Sequence, residues 1–320
     1  MNKKKVAIIG ANGFLGLSIC NALINNGYRV YGFIRNENSA YHKLYKKLNI
    51  NTKLVGNLEE IKNLNLDKSR FDFIINLAAR AHIRGNLFKN VKLDIKKLNN
   101  IEKNIINNFD VKNTKIIHLS SAKVKLNLEN SMISDNELAY IDAKLKSEKI
   151  IRSHFNHFVI LRPPLIYGPY VKANFLSLIK AVDNRLPLPF LNLKNSRSYL
   201  YVENLIDIIL KILQENQFSN KFYYVSDGNP VSTKYLCDLI GGNLCKSPRY
   251  FNLNKNLIYF MAKFLKKQNT IDKIYGDFII NNTTVEKDLG WFPKHNLKFG
   301  IKNTCFWYKT MFNMKAKDLL

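Results

Sequence analysis

Short apolar runs alternate with helix-like stretches along the first half of the chain. Apolar residues at helical spacing predict helices at Phe14–Asn26, Val91–Asn108 and Leu138–His154. Runs that are apolar at nearly every position predict strands buried on both faces. They lie at Val6–Ile9, Arg29–Ile34, Thr52–Val55, Phe71–Leu77, Lys115–Leu119 and Phe158–Leu161. Because strands that alternate with helices form a parallel sheet covered on both faces, the pattern predicts an α/β fold with a doubly wound parallel sheet of the Rossmann type.

The pattern changes after Pro163, where prolines become frequent and the helices become shorter. Helices are predicted at Phe175–Asn184 and Val202–Gln214, and a strand at Lys221–Val225. We expect the last helix and the strand to return to the first domain, which leaves a smaller second unit. The predicted first domain comprises residues 1–167 plus about 200–226, and the predicted α/β substrate-binding domain comprises about 168–199 and 227–320.

A glycine-rich turn follows the first predicted strand, with the sequence Gly10-Ala-Asn-Gly13-Phe-Leu-Gly16. In such a turn glycine permits a tight bend, a close approach of the backbone to a pyrophosphate, and close packing of helix on strand. The helix that follows offers free N–H groups and the positive end of its dipole to the phosphates. The sequence therefore predicts a site for a nicotinamide dinucleotide, with contacts from Gly10, Asn12, Gly13, Phe14, Leu15 and Gly16.

The end of the second predicted strand distinguishes NAD from NADP. An acidic residue there binds the 2′-hydroxyl of NAD, whereas an arginine suits the 2′-phosphate of NADP. The chain has Arg35 directly after Ile34 and no acidic residue at the strand end. This favours NADP(H) and leaves NAD(H) open, since Arg35 is then a solvated charge at the end of the strand.

Tyr140 and Lys144 are spaced so that they share one face of a predicted helix. A neighbouring ammonium favours the phenolate form of a tyrosine, which can then exchange a proton with an alcohol oxygen. The strand ending at Leu119 is followed by Ser120 and Ser121, at the sheet edge where ligands of such folds bind. We therefore expect a catalytic group of Ser121, Tyr140 and Lys144.

The motifs GANGFLG, NLAA, HLSS, YxxxK and LRPPLIYGP occur together, in an order that resembles extended short-chain dehydrogenase/reductases. More narrowly, the chain from about Val6 to Pro293 is similar to the NAD-dependent epimerase/dehydratase family of nucleotide-sugar enzymes. The resemblance implies that Tyr140 is the acid–base group, that Lys144 favours its phenolate and binds ribose, and that Ser121 lies beside the reacting oxygen. It implies further cofactor contacts from Asn57, Leu58, Leu77, Ala78, Ala79, Ser120 and Pro163.

The residues after the serine pair bear on the reaction. Dehydratases of this family carry an Asp-Glu pair there, whereas this chain has Ala122 and Lys123. Neither side chain supplies the carboxyl groups that elimination of water needs, so a 4,6-dehydratase is not expected. Two reactions at C4 of the sugar are left, a 4-epimerisation with retained NAD and a 4-keto reduction. The strings at 79–82, 120–124 and 161–168 resemble a bacterial subgroup that acts on UDP-N-acetylhexosamines. This resemblance implies reduction of a UDP-4-keto-(6-deoxy)-N-acetylhexosamine, with 4-epimerisation of a UDP-glucose or UDP-N-acetylglucosamine type of substrate as the alternative. Arg35 favours the reductase.

Substrate contacts are also implied by the resemblance. Asn174 and Arg197 match the family's contacts to the nucleotide diphosphate, and a planar guanidinium suits paired phosphate oxygens. His82 and Lys123 are candidates for the sugar pocket, although His82 is equally well explained as a structural histidine. We expect a homodimer through two long helices, Val91–Asn108 and Leu138–His154, because many relatives pair in this way.

Two alternatives belong to other functional classes. One is an NAD(P)-sensing regulator on the same fold, which the presence of Ser121, Tyr140 and Lys144 disfavours. The other is an epimerase of lipid-linked sugars at a membrane surface. Residues Asn256–Lys267 fit an amphipathic helix with a basic face, and they fit a core-facing helix of the second domain better.

Composition narrows the partners further. The 320 residues carry a net charge of +26, but the lysines are spread along the chain rather than clustered, so no nucleic-acid partner is expected. A positive field suits an anionic substrate such as a sugar diphosphate. The four cysteines lack metal-ligand spacing, so no metal site is expected. No apolar run approaches the ~18–20 residues that span a bilayer, and we expect a cytoplasmic protein.

Overall fold

The computed structural model describes residues 3–34, 50–55, 71–78, 100–128, 135–216, 218–252 and 276–317. The chain divides into two compact units. The first comprises Met1–Pro163, Ile208–Tyr224 and Lys287–Trp291, and the second comprises Pro164–Asp207, Val225–Glu286 and Phe292–Leu320. The assignment of cofactor binding to the first unit and of substrate binding to the second stays a proposal.

In the described part of the chain, seven parallel strands form the centre of the first unit. They are β1 (Lys5–Ile9), β2 (Arg29–Ile34), β3 (Asn51–Leu54), β4 (Phe73–Asn76), β5 (Lys115–Leu119), β6 (Phe158–Arg162) and β10 (Lys221–Tyr224). Their order is β10-β6-β5-β4-β1-β2-β3. The succession of strands reverses between β1 and β4, and ligands of such sheets bind beyond the carboxyl ends at that point. Because Asn76 is paired with both Ile9 and His118, the carboxyl ends of β1, β4 and β5 are level.

The sheet of the first unit is covered by helices α1 (Phe14–Asn25), α2 (residues 100–108) and α3 (Asp135–His154). Isoleucines 101, 105 and 151 of these helices lie in one buried core with strand residues Ile74 and Ile116. Fully burying such a side chain contributes about 1.5–3 kcal/mol, so the apolar helix faces hold the helices against the strands. A 3₁₀ helix, Ala122–Leu128, directly follows the carboxyl end of β5.

In the second unit the described residues include two short parallel strand pairs: β7 (Leu165–Tyr167) with β9 (Tyr199–Tyr201), and β8 (Pro187–Leu188) with β11 (Arg249–Tyr250). The buried ring of Tyr167 stacks on Phe175, and its hydroxyl donates a hydrogen bond to Asp227 at 2.9 Å. The other helices that the structure describes are α4 (Ala173–Asp183), α5 (Val202–Gln214), α6 (Thr233–Leu244), α7 (Thr283–Leu289) and α8 (Leu297–Lys317).

The predicted Rossmann-type parallel sheet is confirmed. The predicted strand Arg29–Ile34 has the bounds expected, whereas the strand predicted at Phe71–Leu77 is shorter and spans Phe73–Asn76. Of the helix predicted at Val91–Asn108, residues 100–108 are described and are helical. Residues 256–267 lie outside the described part. Among the helices that the structure describes, none is both long enough and apolar enough to cross a bilayer.

Candidate active site

The glycine turn after β1 brings backbone atoms into close contact. Gly10 has φ +83°, a left-handed conformation that favours glycine, and a Cβ on it would lie 3.2 Å from the backbone nitrogen of Ala78. A Cβ on Gly16 would lie 2.1 Å from the carbonyl oxygen of Ala11, so no larger residue fits there. The turn therefore keeps α1 close to the sheet and its own backbone open to a ligand.

The start of α1 has the features of an anion site. Gly13 is the N-cap in extended conformation, and no side chain caps the helix. The first turn holds no acidic residue, while Asn12, Phe14 and Leu15 are partly exposed. Backbone N–H groups at such a helix start, together with the positive dipole end, fit a pyrophosphate.

The carboxyl end of β4 lies against the same turn. Asn76 is fully buried, and its Oδ1 accepts a hydrogen bond from the backbone N–H of Ala78 at 3.1 Å. The N–H of Leu77 donates to the carbonyl of Ile9 at 3.0 Å. Leu77 and Ala78 are partly exposed, so the structure brings these two predicted contacts to the edge that carries Gly10.

Tyr140 and Lys144 lie one turn apart on α3, on one face of the helix. Lys144 is buried, and its Nζ donates a hydrogen bond to the carbonyl oxygen of Leu119, the last residue of β5, at 3.1 Å. Tyr140 is partly exposed. The helix thus holds an oriented ammonium and an accessible phenol next to the carboxyl end of β5.

The two serines after β5 have different surroundings. Ser120 is buried, and its Oγ donates to Oε1 of Glu148 at 2.5 Å. Glu148 in turn accepts from Nε and Nη2 of Arg162 at 3.0 and 2.5 Å. Ser121 is partly exposed, and its Oγ accepts from the backbone N–H of Lys123 at 3.3 Å, which leaves its own hydrogen able to point elsewhere.

The sequence alone did not indicate Glu148 and Arg162 as residues of the site. The signal for Glu148 was its position one turn after Lys144 on the same helix. Their bidentate ion pair is buried, and breaking such a pair by removing one partner typically costs about 3–5 kcal/mol. It therefore fixes Ser120 and the end of β6 relative to α3. Pro163 lies at the same edge, where its carbonyl accepts from the N–H of Ala122 at 2.8 Å.

Lys123 lies over the proposed acid–base group. Its Nζ is 5.9 Å from the ring centroid of Tyr140 and forms an ion pair with Glu137 at 2.5 Å. Glu137, one turn before Tyr140 on α3, was also missed from the sequence. The partly exposed ammonium of Lys123 and the carboxylate of Glu137 compensate each other beside the phenol.

The two predicted substrate residues of the second unit occupy different surroundings. Asn174 is exposed, as the second residue of α4. Arg197 is partly exposed, and its Nη1 donates to the carbonyl of Gly276 at 2.5 Å while the guanidinium lies 5.7 Å from the ring centroid of Phe278. These contacts orient a planar group that has five N–H donors.

Five predicted site residues lie outside the described part of the chain. They include Arg35, on which the choice between NAD and NADP depended, and the sugar-pocket candidate His82. The others are Asn57, Leu58 and Ala79.

Comparison with known proteins shows full-length relatives. UDP-glucose 4-epimerase of Vibrio cholerae is 26% identical over 321 residues, which cover 94% of this chain and 94% of that protein. The crystal structure of UDP-glucose 4-epimerase from Thermotoga maritima with UDP-glucose has a TM-score of 0.68 at 19% identity and covers 96% of this chain and 99% of that one. The enzyme WbmF of Bordetella bronchiseptica, in complex with NAD⁺ and UDP, has a TM-score of 0.71 at 14% identity, with 98% and 95% covered. At these identities the solved structures show a shared fold.

A family model covers most of the first unit and the start of the second. The model described as the NAD dependent epimerase/dehydratase family matches residues 6–225. That segment contains the glycine turn, the serine pair and the Tyr140–Lys144 helix, and it is more than half of the 320 residues. The chain belongs to the NAD-dependent epimerase/dehydratase family.

Proposed function

We propose that this protein is an NAD-dependent 4-epimerase of a UDP-hexose. The observation that carries the proposal is the oriented ammonium of Lys144, one helical turn from the phenol of Tyr140 and at the same strand end as Ser121. Such a group supports proton exchange with a sugar hydroxyl. The substrate class and the position on the sugar are supported by the full-length similarity to the Vibrio cholerae UDP-glucose 4-epimerase.

The first unit fits the cofactor by its own geometry. The uncapped start of α1 suits the pyrophosphate, and the missing Cβ of Gly10 permits close approach at the turn. Leu77 and Ala78 lie at the adjoining edge, and the ammonium of Lys144 suits a ribose hydroxyl. Bound NAD would supply the reversible hydride transfer by which C4 is oxidised and reduced again. We propose NAD rather than NADP, because the enzyme WbmF of Bordetella bronchiseptica, which shares this fold, is in complex with NAD⁺.

Tyr140 on α3 carries out the proton transfer in this proposal. Tyr140 takes the proton of the C4 hydroxyl as the carbonyl forms and returns a proton as the alcohol forms again. The ammonium of Lys144 lies on the same helix face one turn away and is oriented by the carbonyl oxygen of Leu119. Ser121 donates a hydrogen bond to the same substrate oxygen, since the N–H of Lys123 satisfies a lone pair of its hydroxyl and leaves its hydrogen for the substrate.

A 4-ketoreductase is the alternative that the sequence analysis favoured. It uses the same three side chains for the reductive half of the cycle and takes its hydride from external NADPH. Its main support is Arg35 in the sequence, and the full-length similarity to an epimerase is the reason that we place the epimerase first.

We further propose that the protein is not a dehydratase. Ala122 is fully buried, and the ammonium of Lys123 takes the place of the second carboxyl group. Glu137 is the one carboxylate that the structure describes as paired with Lys123, and a single ion-paired carboxylate does not provide the acid and base pair of a water elimination.

Mass spectrometry of product mixtures tests the proposal. The purified protein is incubated with UDP-glucose, UDP-galactose, their N-acetylated forms and UDP-4-keto sugars, with and without added NADPH. We expect a product of unchanged mass and altered chromatographic retention without NADPH. A gain of two hydrogens only with NADPH would instead establish the reductase. A loss of water would contradict the exclusion of dehydration, and a protein that binds cofactor without any turnover would favour the sensing regulator.

A further inference from the structure

Four polar side chains are buried behind Lys144 in the first unit. They are Asn76 at the end of β4, His118 in β5, Glu102 in α2 and Ser147 in α3, each no more than 4% exposed. None of them belongs to the catalytic group proposed above. Burying polar groups is costly unless they are hydrogen-bonded, so a set of this size in the core calls for an explanation.

The hydrogen bonds of these residues form a chain in which each donor hydrogen points toward Glu102. The N–H of Ala78 donates to Oδ1 of Asn76 at 3.1 Å, which fixes the orientation of the amide. Nδ2 of Asn76 therefore donates to Nδ1 of His118 at 3.0 Å. The imidazole hydrogen consequently lies on Nε2 and points at Oγ of Ser147, also at 3.0 Å. Ser147 is then left to donate its hydrogen to Oε1 of Glu102, at 2.7 Å.

The chain of donors ends on the carboxyl group of Glu102. Donors that converge on an acceptor favour its negative charge. The other carboxyl oxygen, Oε2, is buried and has no hydrogen-bond partner among the residues that the structure describes. Oε1 of Glu102 thus accepts the hydrogen bond from Ser147, and the amide of Asn76 and the ammonium of Lys144 also act on the carboxyl group.

Two opposing effects act on Glu102. Burial is the largest effect and raises the pKa of its carboxyl group above the usual value, while the hydrogen bond from Ser147, a backbone hydrogen bond, the positive charge of Lys144 and a hydrogen bond from Asn76 act against it. Burial, aided by the charge of Lys144, lowers the pKa of His118 to about 3, so the imidazole is neutral and leaves the positive charge to Lys144. The negative charge of Glu102 therefore depends on Lys144 and on the donor chain.

We propose that Glu102 is the positioning residue that compensates the charge of Lys144, and that it thereby favours binding of the oxidised over the reduced cofactor. This inference rests on the proposed function, in which Lys144 contacts the nicotinamide ribose. The oxidised ring carries a positive charge that the reduced ring lacks. An uncompensated buried ammonium would disfavour the oxidised form, because charges interact strongly at low dielectric. An epimerase that retains its cofactor needs the oxidised form, NAD⁺, at the start of every cycle.

Cofactor titration of the full chain tests the proposal without any sugar. Dissociation constants are measured for NADH by its fluorescence and for NAD⁺ by competition, in the wild type and in Glu102→Gln. We expect the ratio of the NAD⁺ constant to the NADH constant to rise about tenfold, an order of magnitude for losing one nearby buried charge. Asp142→Asn is the matched control, because it removes one negative charge from an exposed position on α3, where solvent screens it. Its ratio should stay within about twofold of the wild type.

A second variant covers the case in which Glu102→Gln does not fold. Ser147→Ala keeps the carboxyl group but removes the donor to it, so the ratio should rise in the same direction by about two- to fivefold. An unchanged ratio in a folded Glu102→Gln protein, or in Ser147→Ala when Glu102→Gln is unfolded, overturns the inference. If the wild type epimerises sugars but the variants have the same ratio of dissociation constants as the wild type, this inference alone fails. If it binds neither cofactor form, the proposed function fails.

Discussion

Nζ of Lys144 lies 3.1 Å from the carbonyl oxygen of Leu119, so the last residue of a central strand orients the cation of the proposed active site. The side chain is buried, and its direction is therefore set by the sheet and not by solvent. Tyr140 is carried on the same helix face one turn earlier. The acid–base pair is consequently as rigid as the packing of α3 against β5.

Replacing Lys144 by methionine should lower kcat for epimerisation by about 10²–10⁴-fold, because the proposed acid–base group loses its oriented ammonium. Affinity for NAD should fall as well, since the ribose loses a ligand. Lys146→Met is the matched control, because Lys146 is exposed on the same helix. Comparable losses in the two variants, measured by steady-state kinetics, would refute the role of Lys144.

Tyr140→Phe should lower kcat by about 10²–10⁴-fold while NAD affinity is kept, because only the proton-transferring hydroxyl is removed. Kinetics and cofactor titration on the same preparation measure both quantities. Turnover close to that of the wild type would rule out the proposed acid–base role.

Substitutions of the two serines after β5 should differ in effect: one should lower stability and the other activity. Ser120→Ala removes a buried hydrogen bond to the charged Glu148 and should lower the free energy of unfolding by about 1–3 kcal/mol. Ser121→Ala should leave stability nearly unchanged and lower kcat, because its hydroxyl serves the substrate. Urea denaturation and kinetics on both variants check this, and the reverse assignment of effects would contradict it.

Gly10→Ala and Gly27→Ala form a matched pair, because both residues have φ +83°. Each substitution strains a left-handed backbone and should cost about 1 kcal/mol or more in stability. The Cβ at position 10 also meets the backbone nitrogen of Ala78 at 3.2 Å, whereas nothing lies within 4 Å at position 27. We therefore expect only Gly10→Ala to weaken NAD binding, by about tenfold or more in a fluorescence titration. If the two variants bound NAD with equal affinity, the turn at Gly10 would not be part of the cofactor site.

Stability should fall at acid pH in a way that depends on His118. Its pKa in the folded protein is lowered to about 3, so between pH 6.5 and about 3 the unfolded chain binds a proton that the folded chain does not. Its contribution is therefore complete above pH 6.5 and is lost as the pH falls toward 3. The free energy of unfolding of the wild type, relative to His118→Gln, should decrease by up to about 5 kcal/mol over that range.

The comparison with His118→Gln is needed because Glu102, whose pKa is raised by burial, acts in the opposite direction. His154→Gln, at an exposed position near the end of α3, is the control and should leave the pH profile unchanged. A wild-type profile parallel to that of His118→Gln in urea denaturation would disprove the prediction.

Local spacing was enough to predict the placement of several residues of the proposed site. The structure has a tight turn with no room for a Cβ at Gly10 and Gly16, and it places Tyr140 and Lys144 on one helix face, as the spacing predicts. The alternation of strands and helices predicted the parallel sheet, because it reflects burial on both faces. Strand bounds were less certain at β4, where the apolar run continues past the end of the hydrogen-bonded ladder.

The sequence by itself determined which residues could do chemistry, since residue type and short-range spacing fix that choice. Only the tertiary structure decided how they are used. It tied Ser120 to Glu148 and left Ser121 accessible, and it joined Glu102 to Ser147. These partners are 28 and 45 residues apart along the chain, so no local pattern pairs them. They meet because polar groups that are buried with the helix faces are costly unless they are hydrogen-bonded.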